Sequence, residues 1–185
     1  RAALDSLSGL SVKDTAMNLV FGEGVLNPPL MLIGEAPGEE EDRTGRPFVG
    51  PAGRLLEKML AALGFHRDAV YITNVLNWRP PGNRTPKPDE VATCLPFLMR
   101  HIALVQPRCL LLLGGPAAQA VLGRSESVTR MRGQWWSCEA PGLTAAVPAL
   151  VTYHPAYLLR TPAQKRESWR DLLLMDVRLR QLGLR

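Results

Sequence analysis

Residues 30–60 read LMLIGEAPGEEEDRTGRPFVGPAGRLLEKML, and this stretch decides the fold class. An apolar run at 30–33 ends in Gly34. The loop that follows holds five carboxylates, two arginines, three further glycines and Phe48, and an amphipathic helix begins at Pro51. This order is typical of a buried strand that carries a polar loop to the carboxyl edge of a sheet, where open α/β folds bind their ligands. We therefore expect the loop to form part of a reaction centre.

The same alternation of strand and helix continues along the chain. Short apolar runs, each followed by Asn, Gly or His, recur at 70–73, 109–113 and 150–153. Helical patterns lie at 51–63, 88–105, 116–122 and 163–182. Together they predict a three-layer α/β/α sandwich with a central four-stranded, largely parallel sheet. A chain of 185 residues has the length of one domain, so we expect a single domain over 1–185.

Composition narrows the function classes only a little. The chain has 22 Lys and Arg against 17 Asp and Glu, and this net charge of +5 suits a polyanionic partner without identifying one. Cys94, Cys109 and Cys138 form no CxxC pair, so neither a disulfide framework nor a complete thiolate metal site is expected. No apolar run approaches the roughly 18 residues that span a bilayer, and we expect a cytosolic protein of bacterial type with no membrane partner.

Two further loops carry unusual sequences. Residues 77–87, NWRPPGNRTPK, contain three prolines and two arginines, which predicts a stiff, basic surface connection. Residues 153–160, YHPAYLLR, follow the fourth strand, and we expect Tyr157, Leu158 and Leu159 to be exposed there beside Arg160. Apolar residues at a loop tip next to a basic residue favour binding to a partner.

Four motifs resemble those of one enzyme family. GEAPGEEEDRTGRPFVGPAGRLL at 34–56, YITNVLNWRPPGNRTPKPDEVATC at 71–94, RGQWW at 132–136 and YHPAYLLR at 153–160 are similar, in the same order, to the motifs of the uracil-DNA glycosylase superfamily, and most of all to its family 4 branch. The resemblance implies a monofunctional glycosylase that flips uracil out of DNA, hydrolyses its N-glycosidic bond, releases free uracil and leaves an abasic site for base excision repair. We expect a monomer whose partner is uracil-containing DNA.

One alternative stays open at this stage. A catalytically silent or product-trapping protein that binds uracil or abasic sites in DNA would keep many of the same residues. The related branch that traps its product has an inserted basic loop, whereas GRPFVGPAGRLL at 45–56 is continuous. Turnover is therefore the favoured interpretation.

The resemblance also implies roles for individual residues in the uracil pocket. Cleavage leaves a sugar with positive character and a uracil anion, so a carboxylate near the sugar and a donor near uracil O2 are needed. Glu35 is the first choice for the carboxylate, with Glu41 and Asp42 as alternatives, and His154 is the donor. Phe48 is expected to stack on the base and Asn74 to hydrogen bond its O4 and N3–H, with Gly34 and Ala36 completing the uracil site.

DNA contacts are expected from the two unusual loops. Leu158 resembles the apolar wedge that enters the base stack, and Arg160 is expected to bind an adjacent phosphate. Ala156 stands where related loops have serine, so backbone N–H groups would have to replace the lost hydroxyl. The remaining expected DNA contacts are Tyr157, Arg79 and Arg84.

The chain departs from family 4 at the positions that hold a metal cluster. Family members typically bind a four-iron four-sulfur cluster with four cysteines. Here residues 8–13 read SGLSVK where a CxxC pair is expected, Trp78 stands before the RPP sequence, and only Cys94 remains. One thiolate cannot hold such a cluster. We predict that no metal is bound and that Trp78 and nearby apolar side chains fill the vacated volume.

Overall fold

One mixed sheet of six strands lies at the centre of the computed structural model, which describes residues 1–185. The strands in chain order are β1 (Glu23–Gly24), β2 (Met31–Gly34), β3 (Tyr71–Asn74), β4 (Leu110–Leu113), β5 (Trp135–Cys138) and β6 (Val147–Thr152). Across the sheet their order is β1-β3-β2-β4-β6-β5. The four central strands are parallel, and β1 and β5 pair with them antiparallel at the two edges.

The predicted fold class is confirmed, with two edge strands that the sequence did not reveal. The four apolar runs form the four parallel strands, because strands buried on both faces are apolar at every position. β1 has only two residues, and β5 is largely exposed with a burial pattern that alternates weakly. Neither strand has the continuous apolar run or clear period of two that would predict a strand.

Nine α-helices surround the sheet. They are α1 (Ala2–Asp5), α2 (Ser11–Thr15), α3 (Glu39–Thr44), α4 (Pro51–Ala62), α5 (Pro88–Val105), α6 (Gly115–Leu122), α7 (Val128–Met131), α8 (Pro155–Arg160) and α9 (Lys165–Gln181). The four longest, α4, α5, α6 and α9, are the helices predicted from the sequence, with ends that differ by at most two residues. No helix combines the length and the apolar character that crossing a membrane requires.

Alternate residues of the central strands pack into two separate cores. On one face, side chains such as Leu32, Ile72 and Leu111 pack against α4, α8 and α9. On the other face, side chains such as Ile33 and Leu112 pack against α5, α6 and α7. Because successive side chains of a strand point to opposite faces, a strand that is apolar throughout supports a helix layer on each side. The three-layer arrangement follows from that pattern.

Candidate active site

The carboxyl ends of the parallel strands surround a cavity of about 400 Å³. The connection from β2 to β3 contains α4, which packs in the first core on one face of the sheet. The connection from β4 to β6 contains α6, which packs in the second core on the other face. Neighbouring strands whose connections leave to opposite faces open a crevice between their ends, which is where open α/β sheets bind ligands. The cavity lies at that position.

Most of the residues predicted for the site line this cavity. They are Glu35, Ala36, Glu41, Phe48, Asn74, Arg84, His154, Ala156, Tyr157 and Arg160. Gly34 lies beneath it, because a Cβ there would come within 2.5 Å of both Asn74 Oδ1 and Phe48 Cζ. Asp42, Arg79 and Leu158 do not line the cavity.

Glu35 follows β2 directly and presents a carboxylate that makes no hydrogen bond or ion pair within the protein. Burial raises the pKa of Glu35 above its ordinary value of 4.5, since a charged carboxylate is disfavoured where water is partly excluded. A half-buried, unpartnered carboxylate in a cavity is available to orient water and to oppose a developing positive charge.

Phe48 presents its ring beside His154, with the two ring centres 5.6 Å apart and the planes tilted by 32°. The residue has a φ of +52°, a left-handed conformation that costs a side-chain-bearing residue on the order of 1 kcal/mol. Only 5% of the residue is exposed, so the ring belongs both to the core below the cavity and to the cavity wall.

Asn74 ends β3 and has a buried side-chain oxygen with no hydrogen-bond partner. Only 2% of the residue is exposed. An unpaired buried acceptor costs free energy in the unliganded protein, so its presence in a cavity indicates that a ligand supplies the missing donor. Gly34 makes this arrangement possible, since any side chain at that position would occupy the space beside the amide.

His154 follows β6 and caps the first turn of α8. Its Nδ1 accepts a hydrogen bond from the Ala156 backbone N–H at 3.1 Å, so in the neutral ring the proton resides on Nε2. Burial, helped by the nearby charge of Arg160 and opposed by that of Glu41, lowers the pKa of His154 to about 4. At neutral pH the residue is therefore a neutral Nε2–H donor.

Glu41 and Asp42 have structural contacts that distinguish them from Glu35. The Glu41 carboxylate accepts from the backbone N–H groups of Val49 and Gly50, each at 2.8 Å, and from that of Gly38 at 3.1 Å. Both of its oxygens are thus engaged in holding the loop, and the geometry favours Glu35 as the reacting carboxylate.

The expectation that Asp42 takes part in catalysis is not supported. Its carboxylate lies outside the cavity and accepts from the backbone N–H groups of Met17 and Asn18 at 2.9 and 3.2 Å. In a helix the side chains of neighbouring residues point about 100° apart, so Glu41 faces the cavity while Asp42 faces the N-terminal segment.

The segment after β6 differs from the exposed loop that the sequence predicted. It forms α8, in which Leu158 is only 1% exposed and packs in the first core, while Leu159 is 43% exposed. Leu158 cannot enter a base stack from that position, so the expected wedge role is wrong for it. The helix directs the Leu158 side chain toward α4, where burial of its apolar surface stabilises the fold.

The backbone of α8 is also not free to bind phosphate as expected. The Ala156 N–H is donated to His154 Nδ1, and the N–H groups of Tyr157 and Leu158 are donated to the His154 carbonyl at 3.0 and 3.2 Å. Arg160 is exposed at the mouth of the cavity and makes no ion pair. It is the basic residue of this segment best placed to meet a phosphate.

The two arginines of the 77–87 loop are bound within the protein. Arg84 makes a two-pronged ion pair with the buried Glu90, at 2.9 and 2.6 Å, and this pair ties the loop to the start of α5. Arg79 donates to Asn83 Oδ1 at 2.7 Å. The guanidinium of Arg84 thus neutralises a buried carboxylate, and its expected contact with DNA phosphate stays a prediction.

Gly114 is a functional position that the sequence reasoning missed. It follows β4 with a φ of +92°, and a Cβ there would lie 3.1 Å from the Cβ of His154. A glycine is therefore needed for the imidazole to reach the cavity. The glycine that ends the third apolar run could have indicated this close approach.

Comparison with known proteins agrees with this geometry. Residues 21–178 match the model of the uracil DNA glycosylase superfamily, and the chain belongs to that superfamily. Similar curated proteins include the Type-4 uracil-DNA glycosylases of Pyrobaculum aerophilum, 43% identical over 161 residues, and of Thermotoga maritima, 42% identical over 161 residues. These alignments cover 85% and 86% of this chain, and 81% and 80% of the relatives. A Type-5 uracil-DNA glycosylase of P. aerophilum is 34% identical over 150 residues, which cover 73% of this chain and 64% of the relative.

The residues where family 4 members hold an iron-sulfur cluster do not fit one in this chain. Trp78 and Cys94 are buried in a small cluster with Leu4, Leu10 and Val12, so apolar side chains occupy the region between the N-terminal segment and α5. Burial raises the pKa of Cys94 to about 11, which favours the thiol over the metal-binding thiolate. The packing predicted around Trp78 is confirmed. The structure contains no group of three or more His, Cys, Asp or Glu side chains arranged to hold a metal ion.

Proposed function

We propose that this protein is a monofunctional uracil-DNA glycosylase that hydrolyses the N-glycosidic bond of uracil in DNA and leaves an abasic site. The observation that carries the proposal is the convergence, in one cavity, of an unpartnered carboxylate at Glu35, an unpaired amide oxygen at Asn74 and a neutral Nε2–H donor at His154. Membership of the superfamily and the Type-4 relatives support the same activity.

Base recognition is assigned to Asn74 and Phe48. The unpaired Asn74 oxygen accepts from uracil N3–H while the amide nitrogen donates to O4, a pattern that the amino group and unprotonated N3 of cytosine reverse. Stacking on Phe48 contributes roughly 1–3 kcal/mol, which is comparable with the few kcal/mol lost when the nucleotide leaves the duplex. Recognition and base flipping are therefore supported by the same two residues.

Bond cleavage is assigned to Glu35 and His154. As the N-glycosidic bond breaks, the ionised Glu35 stabilises the positive sugar and orients the attacking water, and His154 Nε2–H donates to uracil O2 as negative charge develops there. Water is the proposed nucleophile, and no lysine lines the cavity to attack the sugar in its place. The products are free uracil and abasic DNA.

The surroundings of the reaction are part of the same proposal. The DNA partner is uracil-containing DNA, with Arg160 at the cavity mouth as a phosphate contact, and the protein acts as a monomer in the cytosol. No iron-sulfur cluster is bound, since the region that would hold it is packed with apolar side chains.

A nicking assay on oligonucleotides with a single uracil tests the assignment. We expect wild type to produce alkali-sensitive sites, and Glu35→Ala, Asn74→Ala and His154→Ala each to lower the rate by about 10²- to 10³-fold. Glu39→Gln is the matched control, because Glu39 lies in the same acidic loop but its side chain is 76% exposed and outside the cavity. Equal losses in Glu39→Gln and Glu35→Ala would contradict the assignment.

A further inference from the structure

The segment 47–50, which carries the ring of Phe48, is held by side chains on two sides. The Glu41 carboxylate accepts from the backbone N–H groups of Val49 and Gly50. From the other side, Arg67 Nη2 donates to the Pro47 carbonyl at 2.6 Å and Arg67 Nη1 donates to the Phe48 carbonyl at 2.8 Å. The two carbonyls that Arg67 binds belong to the peptide planes on either side of the Phe48 Cα.

Arg67 is itself fully oriented. It lies in a 3₁₀ turn, Arg67–Ala69, directly before β3, and its side chain is 17% exposed. Besides the two carbonyls, Nε and Nη2 contact Glu23 Oε1 at 2.8 and 2.6 Å, and Nη1 donates to Glu57 Oε1 at 2.9 Å. Four N–H groups of the guanidinium therefore donate hydrogen bonds within the protein, and Nη2 also forms an ion pair with Glu23.

Glu23 connects this arginine to the edge of the sheet. Glu23 lies on β1, which pairs with β3 beside the turn that carries Arg67. It also accepts from Arg46 at 2.9 and 3.1 Å, but Arg46 makes no bond to the 47–50 carbonyls. The short edge strand thus contributes to the site, because its Glu23 carboxylate orients the Arg67 guanidinium toward the loop.

We propose that Arg67, aimed by Glu23, is a positioning residue for the Phe48 ring, an inference that rests on the proposed function of Phe48 as the surface on which uracil stacks. Phe48 has a φ of +52°, and such a conformation persists only where the surroundings determine it. By fixing the peptide planes on both sides of the residue, Arg67 sets both φ and ψ, and so the direction of the ring. Lysine cannot replace it, because a single ammonium lacks the planar fork that reaches two carbonyls and a carboxylate together.

Kinetics of the Arg67→Gln and Arg67→Lys variants test the inference, with Arg46→Gln as the matched control that removes one ion pair of Glu23 but leaves both carbonyl contacts. We expect Arg67→Gln to lower kcat/KM by about tenfold, mainly through a higher KM, because stacking holds the base before and during cleavage. Arg67→Lys should recover little of the loss. Arg46→Gln should stay within about twofold of wild type, as expected for an exposed pair.

A double-mutant cycle separates positioning from general stability. In a Phe48→Ala background, Arg67→Gln should cause no further loss of kcat/KM, since there is no ring left to position. The same tenfold loss in both backgrounds would overturn the inference.

If wild type itself released no uracil, the proposed function would fail, and amide hydrogen exchange would still test whether Arg67 positions the loop. Faster exchange at Val49 and Gly50 in Arg67→Gln but not in Arg46→Gln supports it, and unchanged exchange contradicts it.

Discussion

Burial shifts the pKa values of Glu35 and His154 in opposite directions, because it disfavours the charged form of each side chain. The pKa of Glu35 rises above 4.5, and that of His154 falls to about 4. The proposed mechanism needs an ionised carboxylate at Glu35 beside a neutral imidazole at His154, and the lowered pKa of His154 supplies the second of these at neutral pH. Proposed catalysis requires both of these states, the first to stabilise the positive sugar and the second to donate from Nε2.

The acid limb of the pH profile is expected to belong to Glu35. As pH falls, Glu35 takes up a proton at its raised pKa and loses the charge that stabilises the sugar, whereas His154 protonates only near pH 4. Single-turnover rates should be flat near neutral pH and decline on a limb centred above pH 4.5. That limb should be missing from the residual activity of Glu35→Gln and present in Glu39→Gln. An acid limb that remains in Glu35→Gln would contradict this assignment.

Asn74 is expected to serve function at the expense of stability. Because its oxygen is buried and unpaired in the free protein, Asn74→Ala should leave the free energy of unfolding unchanged or raise it by about 1 kcal/mol, while uracil release falls by about 10²-fold or more. Asn77→Ala is the control, since that buried amide donates to the Val20 carbonyl at 3.1 Å. Urea unfolding without DNA measures both variants, and an equal destabilisation in the two would refute the role given to the unpaired oxygen.

At the scale of elements, α8 shows where sequence reasoning reaches its limit. The positions of Glu35, Asn74 and His154 were predictable, because each follows an apolar run and parallel strands end at one edge. α8 has six residues, too few for a helical period to be visible. Leu158 and Leu159 are the same residue type at adjacent positions, so only packing against α4 decides which one is buried.

α9 is joined to β6, the strand that precedes His154, through Asp171, which also forms a buried ion pair. Asp171, with a side chain 1% exposed, binds Arg132 at 2.6 and 3.1 Å and accepts from the Thr152 hydroxyl at 2.7 Å. Thr152 ends β6, two residues before His154. Arg132 belongs to the RGQWW motif, whose role the sequence alone did not explain.

Removing Asp171 should be far more costly than removing another acid of the same helix. Asp171→Ala removes the two closest carboxylate contacts of the largely buried Arg132 and leaves it only Glu167, at 3.2 Å, as an ionic partner, so it should lower the free energy of unfolding by about 3 kcal/mol. Asp176→Ala, which loses surface ion pairs with Arg180, 60% exposed, and with Arg185, should cost about 1 kcal/mol or less. Chemical denaturation of both variants provides the comparison. Similar losses of unfolding free energy in the two variants would show that Asp171 does not fix β6 against α9.

At the scale of the whole molecule, the sandwich was predictable and its edges were not. Strands buried on both faces are recognised by their composition, whereas β1 and β5 are defined by pairing with a neighbour that only the fold supplies. The ion pair between Arg84 and Glu90 could not be predicted from the sequence for the same reason. Glu90 looks like an ordinary acid at a helix start until the fold buries it beside that arginine.

The apolar cluster around Trp78 predicts that the purified protein contains no iron-sulfur cluster. Protein purified without oxygen should contain far less than one iron and one acid-labile sulfide per chain, because Leu10, Val12 and Trp78 surround the one remaining cysteine of the pattern, Cys94. A relative that keeps all four cysteines, purified in the same way, is the control. Stoichiometric iron and sulfide would contradict the prediction.

Uracil release measured separately from DNA binding tests the central claim most directly. Wild-type protein is incubated with an excess of oligonucleotide that carries one uracil. Free uracil and the fraction of DNA bound are measured in the same samples. We expect many uracil molecules released per protein, with no protein-DNA adduct that survives hot detergent, and no release from an oligonucleotide with cytosine at the same position. Tight binding without release of uracil, or release that stops at one molecule per protein in a stable adduct, would contradict that claim.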